Sequence, residues 1–404
     1  MSRNFGFKKS FVTAAVAAAV GAGIPSGNAS ASEAEVLKKI EALQAEIATL
    51  KAKVESQSKA SSVAGDGKAL ALSNTDGITI YGRLELVGEQ NDDGKVSRQV
   101  MNNISSRIGF KGEHRMTEDL SGIMQIETGV APDDSANSGA LASRNSYAGL
   151  KSMRFGSLIA GKHDMPFKSL EGTANQLWGS AEAMEIIIHG KGSARRPAVG
   201  TSLAMTNLHT RQTNVFQYWS PKFNNIGIKL AYSPDEVNGA AGTFRTPVYG
   251  GSIEFDNGKW NLGLATETQK NRTGRDQDMS GVKATAGIKF ASGSVGLAYS
   301  SLDNHARRKT SNWLVAGSYK LGPTTLKANY GVSSETAGGA DDGVKMLGIE
   351  LDYPLDKYTT VFGYYTSIAN ARNALGRFEA GDNKYSPIAG DDPSAIGLGI
   401  RYAF

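Results

Sequence analysis

The sequence predicts an all-β protein: a 16-stranded antiparallel transmembrane β-barrel that follows a short N-terminal coiled-coil helix. Three observations lead to this fold class. In about sixteen segments between residues 76 and 404, apolar residues recur at every second position, as in strands with one apolar face. The connections between these strands alternate between short and long, which is typical of an up-and-down meander. Aromatic residues gather where strands meet the short turns, as they do at a bilayer interface.

The composition argues against several other classes. The 404 residues include 48 glycines, 11 prolines and no cysteine. The absence of cysteine excludes a disulfide scaffold and any thiol-based metal or redox chemistry. The mean hydropathy of -0.30 disfavours a helical membrane bundle, which needs several apolar runs of about 18 residues. Glycine makes up about 12% of the chain against a usual ~7%, which suits a large β protein better than a compact α/β enzyme.

Residues 1–31 have the pattern of a signal peptide. Three basic residues without a nearby acid precede the apolar stretch 11–24, and small residues lead up to Ala31. The apolar stretch is shorter than a membrane-spanning helix, so we expect export with cleavage after Ala31. Removal of these residues leaves 41 basic and 39 acidic residues, a net charge of +2. The basic isoelectric point therefore gives no argument for nucleic-acid binding.

The segment 32–57 is predicted to be a coiled-coil helix. Its apolar residues are spaced alternately by four and three positions, as in a heptad seam. The seam residues are Val36, Ile40, Leu43, Ile47, Leu50 and Val54. A segment of about three heptads is marginal alone, so self-association needs support from elsewhere, and a single amphipathic helix on another surface is the alternative. The Ser-, Ala- and Gly-rich segment 58–75 is predicted to be a linker.

Residues 76–404 are predicted to form the barrel. In the last segment, Ile396, Leu398 and Ile400 share one face, while the other face carries small residues and Arg401. Similar segments have approximate centres at residues 82, 109, 125, 148, 159, 216, 229, 252, 264, 286, 298, 316, 328, 349, 362 and 399. Many of the non-apolar faces are charged, which a dry core would not tolerate. A closed cylinder of this size has a water-filled lumen, so we expect the charged face to point inward and the apolar face to contact lipid.

Several segments in this region resemble one known family. They are residues 80–83 (IYGR), 106–113 (SRIGFKGE), 211–223, 352–357 (DYPLDK) and 401–404 (RYAF). Taken in order, they are similar to the strands of Gram-negative general diffusion porins, especially the betaproteobacterial and neisserial type. Typical members begin the barrel directly after the signal peptide, so the heptad segment is a departure from the family pattern.

The resemblance implies a homotrimer of barrels, each with a long third loop folded inward as a constriction. The candidate loop is residues 165–210. In the family, basic wall residues face acidic groups on this loop. The basic positions implied here are Arg83, Arg107, Lys162 and Arg211, and the acidic ones are Asp164, Glu171, Glu182 and Glu185. Lys162 would point into the lumen only if a bulge intervenes. The resemblance also implies that the barrel-assembly machinery recognises the closing strand with its C-terminal residue, Phe404.

The predicted function is a passive outer-membrane diffusion channel for small hydrophilic solutes, with a weak anion preference because inward bases outnumber inward acids. One alternative is a substrate-selective anion channel, such as one for phosphate, suggested by the loop bases Lys191, Arg195 and Arg196. Another is an envelope tether that binds peptidoglycan through the heptad segment. No hydrolase or nucleotide-binding motif is present, so neither an enzyme nor a bound cofactor or metal is expected. Outer-membrane lipid and lipopolysaccharide are the expected surroundings, and no nucleic-acid partner is expected.

Overall fold

The computed structural model describes residues 70–71, 77–133, 140–190, 193–195, 208–235, 245–303, 309–336, 341–378 and 388–404. The predicted signal peptide, the predicted coiled coil with its seam, and the predicted linker other than residues 70–71 lie outside these ranges. Lys191 and Arg196 of the loop basic cluster also lie outside them, and Arg195 is described by its backbone alone.

Within the described ranges, sixteen antiparallel strands form the wall of a closed barrel. They are β1 (Ile78–Asp92), β2 (Arg107–Arg115), β3 (Leu120–Gly129), β4 (Ser146–Ser152), β5 (Gly156–Asp164), β6 (Arg211–Trp219), β7 (Ile226–Ser233), β8 (Val248–Asp256), β9 (Trp260–Gly274), β10 (Gln277–Phe290), β11 (Gly293–Asp303), β12 (Lys309–Leu321), β13 (Thr324–Ser333), β14 (Val344–Pro354), β15 (Thr359–Asn370) and β16 (Ser394–Ala403). Each predicted strand centre lies inside one of these strands, so the predicted barrel is confirmed. Successive strands pair with each other, as expected of a meander.

The barrel closes where β1 pairs with β16. The register runs from Arg83 opposite Ala403 to Asp92 opposite Ser394. Beyond Ala403, the backbone N–H of Gly82 donates to the carbonyl of Phe404 at 2.9 Å, and the N–H of Phe404 donates back at 3.1 Å. The Phe404 ring lies over Gly82, where an added Cβ would be 2.4 Å from its Cζ atom. The last residue therefore completes the seam by its backbone and its ring.

One short segment extends this seam. The pairing of strand β16 with β1 does not extend to Thr79 and Ile80, so this edge of β1 is open there. Leu70–Ala71 pairs there as a two-residue strand, because an unpaired strand edge needs hydrogen-bonding partners. This part of the predicted linker is therefore tied to the wall.

The two faces of the wall differ as the alternation predicts. Ile396, Leu398 and Ile400 are exposed on the outside, whereas Lys283 and Glu350 are buried inside. Outward aromatic residues form a belt beside the short turns: Trp260, Phe290, Tyr319, Tyr353 and Tyr402. A second belt near the long loops contains the ring pairs Tyr232–Tyr249 and Tyr299–Trp313, which the sequence analysis did not identify. Two belts with apolar side chains between them match the two interfaces of a bilayer.

The connections carry little regular structure. Helix α1 (Pro166–Ser169) and three helical turns, Gly172–Ala174, Gly179–Ala181 and Met184–Ile188, lie between β5 and β6. The strand Ser97–Asn103 pairs with the long-loop half of β1, and Ser193–Arg195 pairs with Ala374–Gly376. No helix in the described ranges is both long and apolar enough to cross a membrane.

Closure at Gly82 generates a testable prediction. We expect Gly82→Val to prevent stable folding, because its side chain would overlap the Phe404 ring and the Arg107 carbonyl, and overpacking typically costs about 1–3 kcal/mol or more. The measurement is the fraction of refolded protein that keeps its compact electrophoretic mobility in unheated detergent. Gly88→Val is the control, since a Cβ there meets nothing closer than 3.9 Å. Equal folding of the two variants would contradict this role of Gly82.

Candidate functional site

The predicted constriction loop lies inside the barrel over its described residues, 165–190 and 208–210. Met165, Phe167, Leu177 and Leu208 are fully buried, although a connection of this length normally runs over a surface. The loop leaves β5, follows the inner wall towards β15 and β1, and returns past β13 and β10 to β6. The described part of the loop therefore divides the lumen into a half that it lines and a half that it leaves open, the latter bounded by β1 to β7.

Inward-facing glycines make room for this loop. An added Cβ at Gly287 would lie 1.7 Å from the Thr173 hydroxyl, and one at Gly296 would lie 2.4 Å from the Thr173 backbone. The Thr173 hydroxyl donates to the carbonyl of Val295 at 3.1 Å. Further glycines meet loop side chains in the same way: Gly263 meets Leu170, Gly281 meets Leu208, and Gly331 meets Ile187. Some of the many glycines therefore form a row along the inner wall, the glycine track, against which the loop packs closely.

The far end of the loop is attached to the wall by one carboxylate. Glu89 on β1 accepts hydrogen bonds from the Ser180 hydroxyl at 3.0 Å, from Tyr364 at 2.5 Å and from Asn102 at 3.1 Å. Glu89 is buried, and each of its two oxygens accepts more than one hydrogen bond, which offsets the cost of removing the carboxylate from water. This network holds the loop across the lumen.

The first predicted basic residue, Arg83, lies beside the loop tip. Its Nε atom is 3.1 Å from Glu85, and its guanidinium stands 5.1 Å from the centre of the Trp178 ring. Glu85 also pairs with Arg401 at 2.8 Å. Glu182 of the loop interacts electrostatically with Arg83. The structure therefore brings Arg83 and one predicted loop acid together, but the direct partner of Arg83 is a wall carboxylate.

The second predicted basic residue, Arg107, belongs to a cluster on the open half of the lumen. Its Nε atom is 3.7 Å from Glu127, which is also 2.6 Å from Arg144 and accepts from the Tyr81 hydroxyl at 2.8 Å. Lys111 stands 4.5 Å from the centre of the Tyr81 ring. Three cations thus share one carboxylate, which makes this part of the wall electropositive.

The third, Arg211, meets Asp164 where the loop begins and ends. Its Nε atom is 3.1 Å from Asp164 and 2.9 Å from the Asn145 side-chain oxygen. Asp164 also pairs with Lys168 in α1 at 2.9 Å. Burial lowers the pKa of Lys168, an effect that Asp164 opposes. These contacts fix the base of the loop.

The remaining predicted loop acids lie among loop residues and the lined wall. Glu171 accepts from the Asn175 side chain at 3.0 Å, and burial raises its pKa. Glu185 pairs with His209 at 2.5 Å. Next to them, His189 lies 2.8 Å from the Nζ atom of Lys283. These groups hold the return of the loop against the wall and do not face the wall arginines.

Lys162 does not join any of these clusters. It lies on the same outward face of β5 as the exposed Leu158 and Ala160, and neither an ion pair nor a hydrogen bond of its side chain is found among the described residues. The register does shift beside it, but the extra residue lies on β6, where Asn214 has a φ of 54°. A bulge on the partner strand does not turn Lys162 around.

Sequence reasoning missed most of the wall carboxylates and their partners. Lys327 is 2.6 Å from Asp352 and 2.9 Å from Glu350, and Arg401 is 3.3 Å from Asp352. Alternation along the strands puts Lys327, Glu350 and Arg401 on the inner face, but it does not show which charges meet across four strands. That pairing depends on the register of the closed barrel.

Cations and carboxylates differ in how far they reach the lumen. The side chains of Arg107 and Arg144 are 24% and 25% exposed, whereas Glu127 between them is 8% exposed. Arg401 is 16% exposed, and its partners Glu85, Glu350 and Asp352 are 0%, 1% and 13% exposed. The Arg211–Asp164 pair is balanced, at 16% and 15%. The accessible lining is therefore more cationic than a count of residues indicates.

No group of three or more histidine or acidic side chains in the described ranges is arranged to hold a metal ion. Most of the ionisable lumen groups named above are paired with an opposite charge or hydrogen-bonded to a neutral group. Such an arrangement can attract, orient and pass small polar solutes.

Comparison with known proteins places these features in a family. A family model described as Gram-negative porin matches residues 13–373. A major outer membrane protein P.IB of Neisseria gonorrhoeae is 28% identical over 183 residues, which are 43% of this chain and 48% of that protein. The chain therefore spans about half the length of this relative.

Solved structures share the fold at low sequence identity. An anion-selective porin from Comamonas acidovorans has a TM-score of 0.67 and 16% identity, covering 81% of this chain and 99% of that one. Salmonella typhi OmpF, solved as a complex with daunomycin, has a TM-score of 0.62 and 18% identity, covering 83% and 100%. OmpT of Vibrio cholerae has a TM-score of 0.60 and 17% identity, covering 83% and 100%.

The glycine track generates a testable prediction. We expect Gly287→Val to displace the loop from the wall, because the new side chain would occupy the space of Thr173, and to change the single-channel conductance in planar bilayers. Overpacking of this kind costs about 1–3 kcal/mol or more, which must be relieved by movement of the loop or the strand. Gly227→Val is the inward-facing control, since its Cβ would meet nothing closer than 3.8 Å. Unchanged conductance in a folded Gly287→Val barrel would contradict the track.

Proposed function

Because the chain belongs to the Gram-negative porin family, we propose that it forms a passive, water-filled channel for small hydrophilic solutes and ions, with a weak preference for anions. The chain is an outer-membrane protein, and its family consists of channel proteins rather than enzymes. The closed wall with its apolar exterior and charged interior supports passage through the lumen.

The anion preference rests on one observation, the greater exposure of the cationic side chains on the open half of the lumen. Arg107, Lys111 and Arg144 share the single carboxylate of Glu127, which lies behind them. Cations at a narrow water-filled surface raise the local concentration of anions. Because the neighbouring Arg211–Asp164 pair is balanced, we expect a preference rather than exclusion of cations.

The homotrimer is also part of the proposal. One structure of the similar OmpT from Vibrio cholerae is a trimer form. In the proposed assembly, the barrels hold the trimer together, because a short heptad segment such as residues 32–57 is marginal alone. We also propose outer-membrane lipid and lipopolysaccharide around the wall, recognition of Phe404 by the barrel-assembly machinery, and contact of the heptad segment with peptidoglycan.

Two charge variants test the anion preference. We expect Arg107→Gln combined with Arg144→Gln to lower the chloride-to-potassium permeability ratio, measured as a reversal potential in a salt gradient. The change should shrink at high salt, because the screening length falls from about 10 Å at 0.1 M to about 3 Å at 1 M. The control is Lys259→Gln, which removes a charge from an exposed short turn. If the permeability ratio changed equally in both proteins, the anion preference could not be assigned to this cluster.

A deletion tests how the trimer is held. We expect the mature chain without residues 36–57 to remain a trimer in detergent, as measured by native mass spectrometry, since the barrels provide the main contacts. A monomeric deletion variant from a trimeric parent would mean that the heptad segment drives assembly. A monomeric parent protein would contradict the proposed trimer itself.

A further inference from the structure

Three inward-facing rings lie on the open half of the lumen, between the Arg211–Asp164 pair and the short-turn end of the barrel. The ring of Tyr147 is 5.5 Å from His163 and 5.7 Å from Trp219, and His163 is 5.2 Å from Trp219. The Tyr147 and Trp219 rings meet edge to face, at 87°. We refer to these three residues as the aromatic cluster.

Among the described residues, the cluster faces the open half of the lumen rather than the loop. Tyr147, His163 and Trp219 alternate with outward residues of their strands, such as Ala148, Leu158 and Tyr218. All three rings are only partly buried. None of them belongs to the apolar clusters that the described loop residues form with the wall. Since burying aromatic surface is favourable, these rings keep a surface that a passing solute can cover.

Basic side chains surround the cluster. Lys229 is the cross-strand neighbour of Trp219 on the same face, and both Lys229 and Arg211 interact electrostatically with His163. Lys229 pairs with Glu254 at 2.9 Å, and each side chain is 32% exposed. An ion pair exposed to that degree contributes little net free energy, so Lys229 can turn to a solute without a large loss.

We propose that the aromatic cluster and Lys229 form a weak binding site for planar aromatic carboxylates on their way through the channel. The carboxylate would bind Lys229, and the ring of the solute would cover the exposed faces or edges of Trp219 and Tyr147. An alicyclic anion of the same charge and similar size would keep the electrostatic and apolar contacts but would lack the edge-to-face or offset-stacked interaction between aromatic rings. This inference rests on the proposed channel function and names a class of solute for it.

The experiment compares two anions of equal charge and similar size, benzoate and cyclohexanecarboxylate. Each is titrated against the chloride current of the full mature protein in planar bilayers. We expect benzoate to reduce the current at a lower concentration than cyclohexanecarboxylate. Trp219→Leu and, separately, Tyr147→Leu should raise the half-blocking concentration of benzoate by about fivefold, the range expected for one aromatic contact, and leave that of cyclohexanecarboxylate nearly unchanged.

Trp260→Leu is the matched control, because it removes a tryptophan from the outer face at the same end of the barrel. Benzoate should block this variant at the same half-blocking concentration as the parent protein. Equal block by the two anions in the parent, or a benzoate preference that survives both cluster variants, would overturn the proposed site while leaving the channel in place. A folded parent protein that conducts no current would instead overturn the channel function, and the site with it.

Discussion

The structure depends on the pairing of every wall strand, including the first with the last. Hydrocarbon offers no hydrogen-bond partners to a backbone, so a strand edge left open within a membrane would expose unpaired N–H and C=O groups. Here the seam between β1 and β16 is completed at the last residue, where Phe404 exchanges two backbone hydrogen bonds with Gly82 and lays its ring over it. Leu70–Ala71 then covers the part of β1 that β16 does not reach.

A closed wall of sixteen strands is too wide for its own side chains to fill. The loop after β5 fills one half of the lumen, and the glycines of the inner wall decide how closely it can lie. Apolar loop residues are buried there against the wall, whereas Glu89 secures the far end of the loop through neutral donors. Because the described loop residues occupy one half of the lumen, solutes pass through the other half, where Arg107, Arg144 and the aromatic cluster lie.

In the open half of the lumen, cations and carboxylates are separated mainly by depth in the wall, and the cations reach further into the lumen. Several carboxylates lie behind the cations that they neutralise, so solutes meet mainly guanidinium groups. This differs from the expected arrangement, in which wall bases face acids on the loop. Of the predicted loop acids, Asp164 contacts a predicted wall base directly, Glu182 interacts with Arg83, and Glu171 and Glu185 serve the loop itself.

The sequence alone determined the barrel, because the face of each strand residue follows from local alternation between lipid and water. It located all sixteen strands, the inward position of Arg401, and the long loop after β5. It could not determine which charges meet, since the contact between Arg401 and Glu85 joins residues far apart in the chain and depends on closure and register. The orientation of Lys162 could not be predicted for a related reason: the irregularity that could have turned its side chain inward lies on the neighbouring strand. The loop path was likewise decided by the tertiary structure, because the loop follows β5 whereas the glycines that receive it lie far along the chain, on β9, β10, β11 and β13.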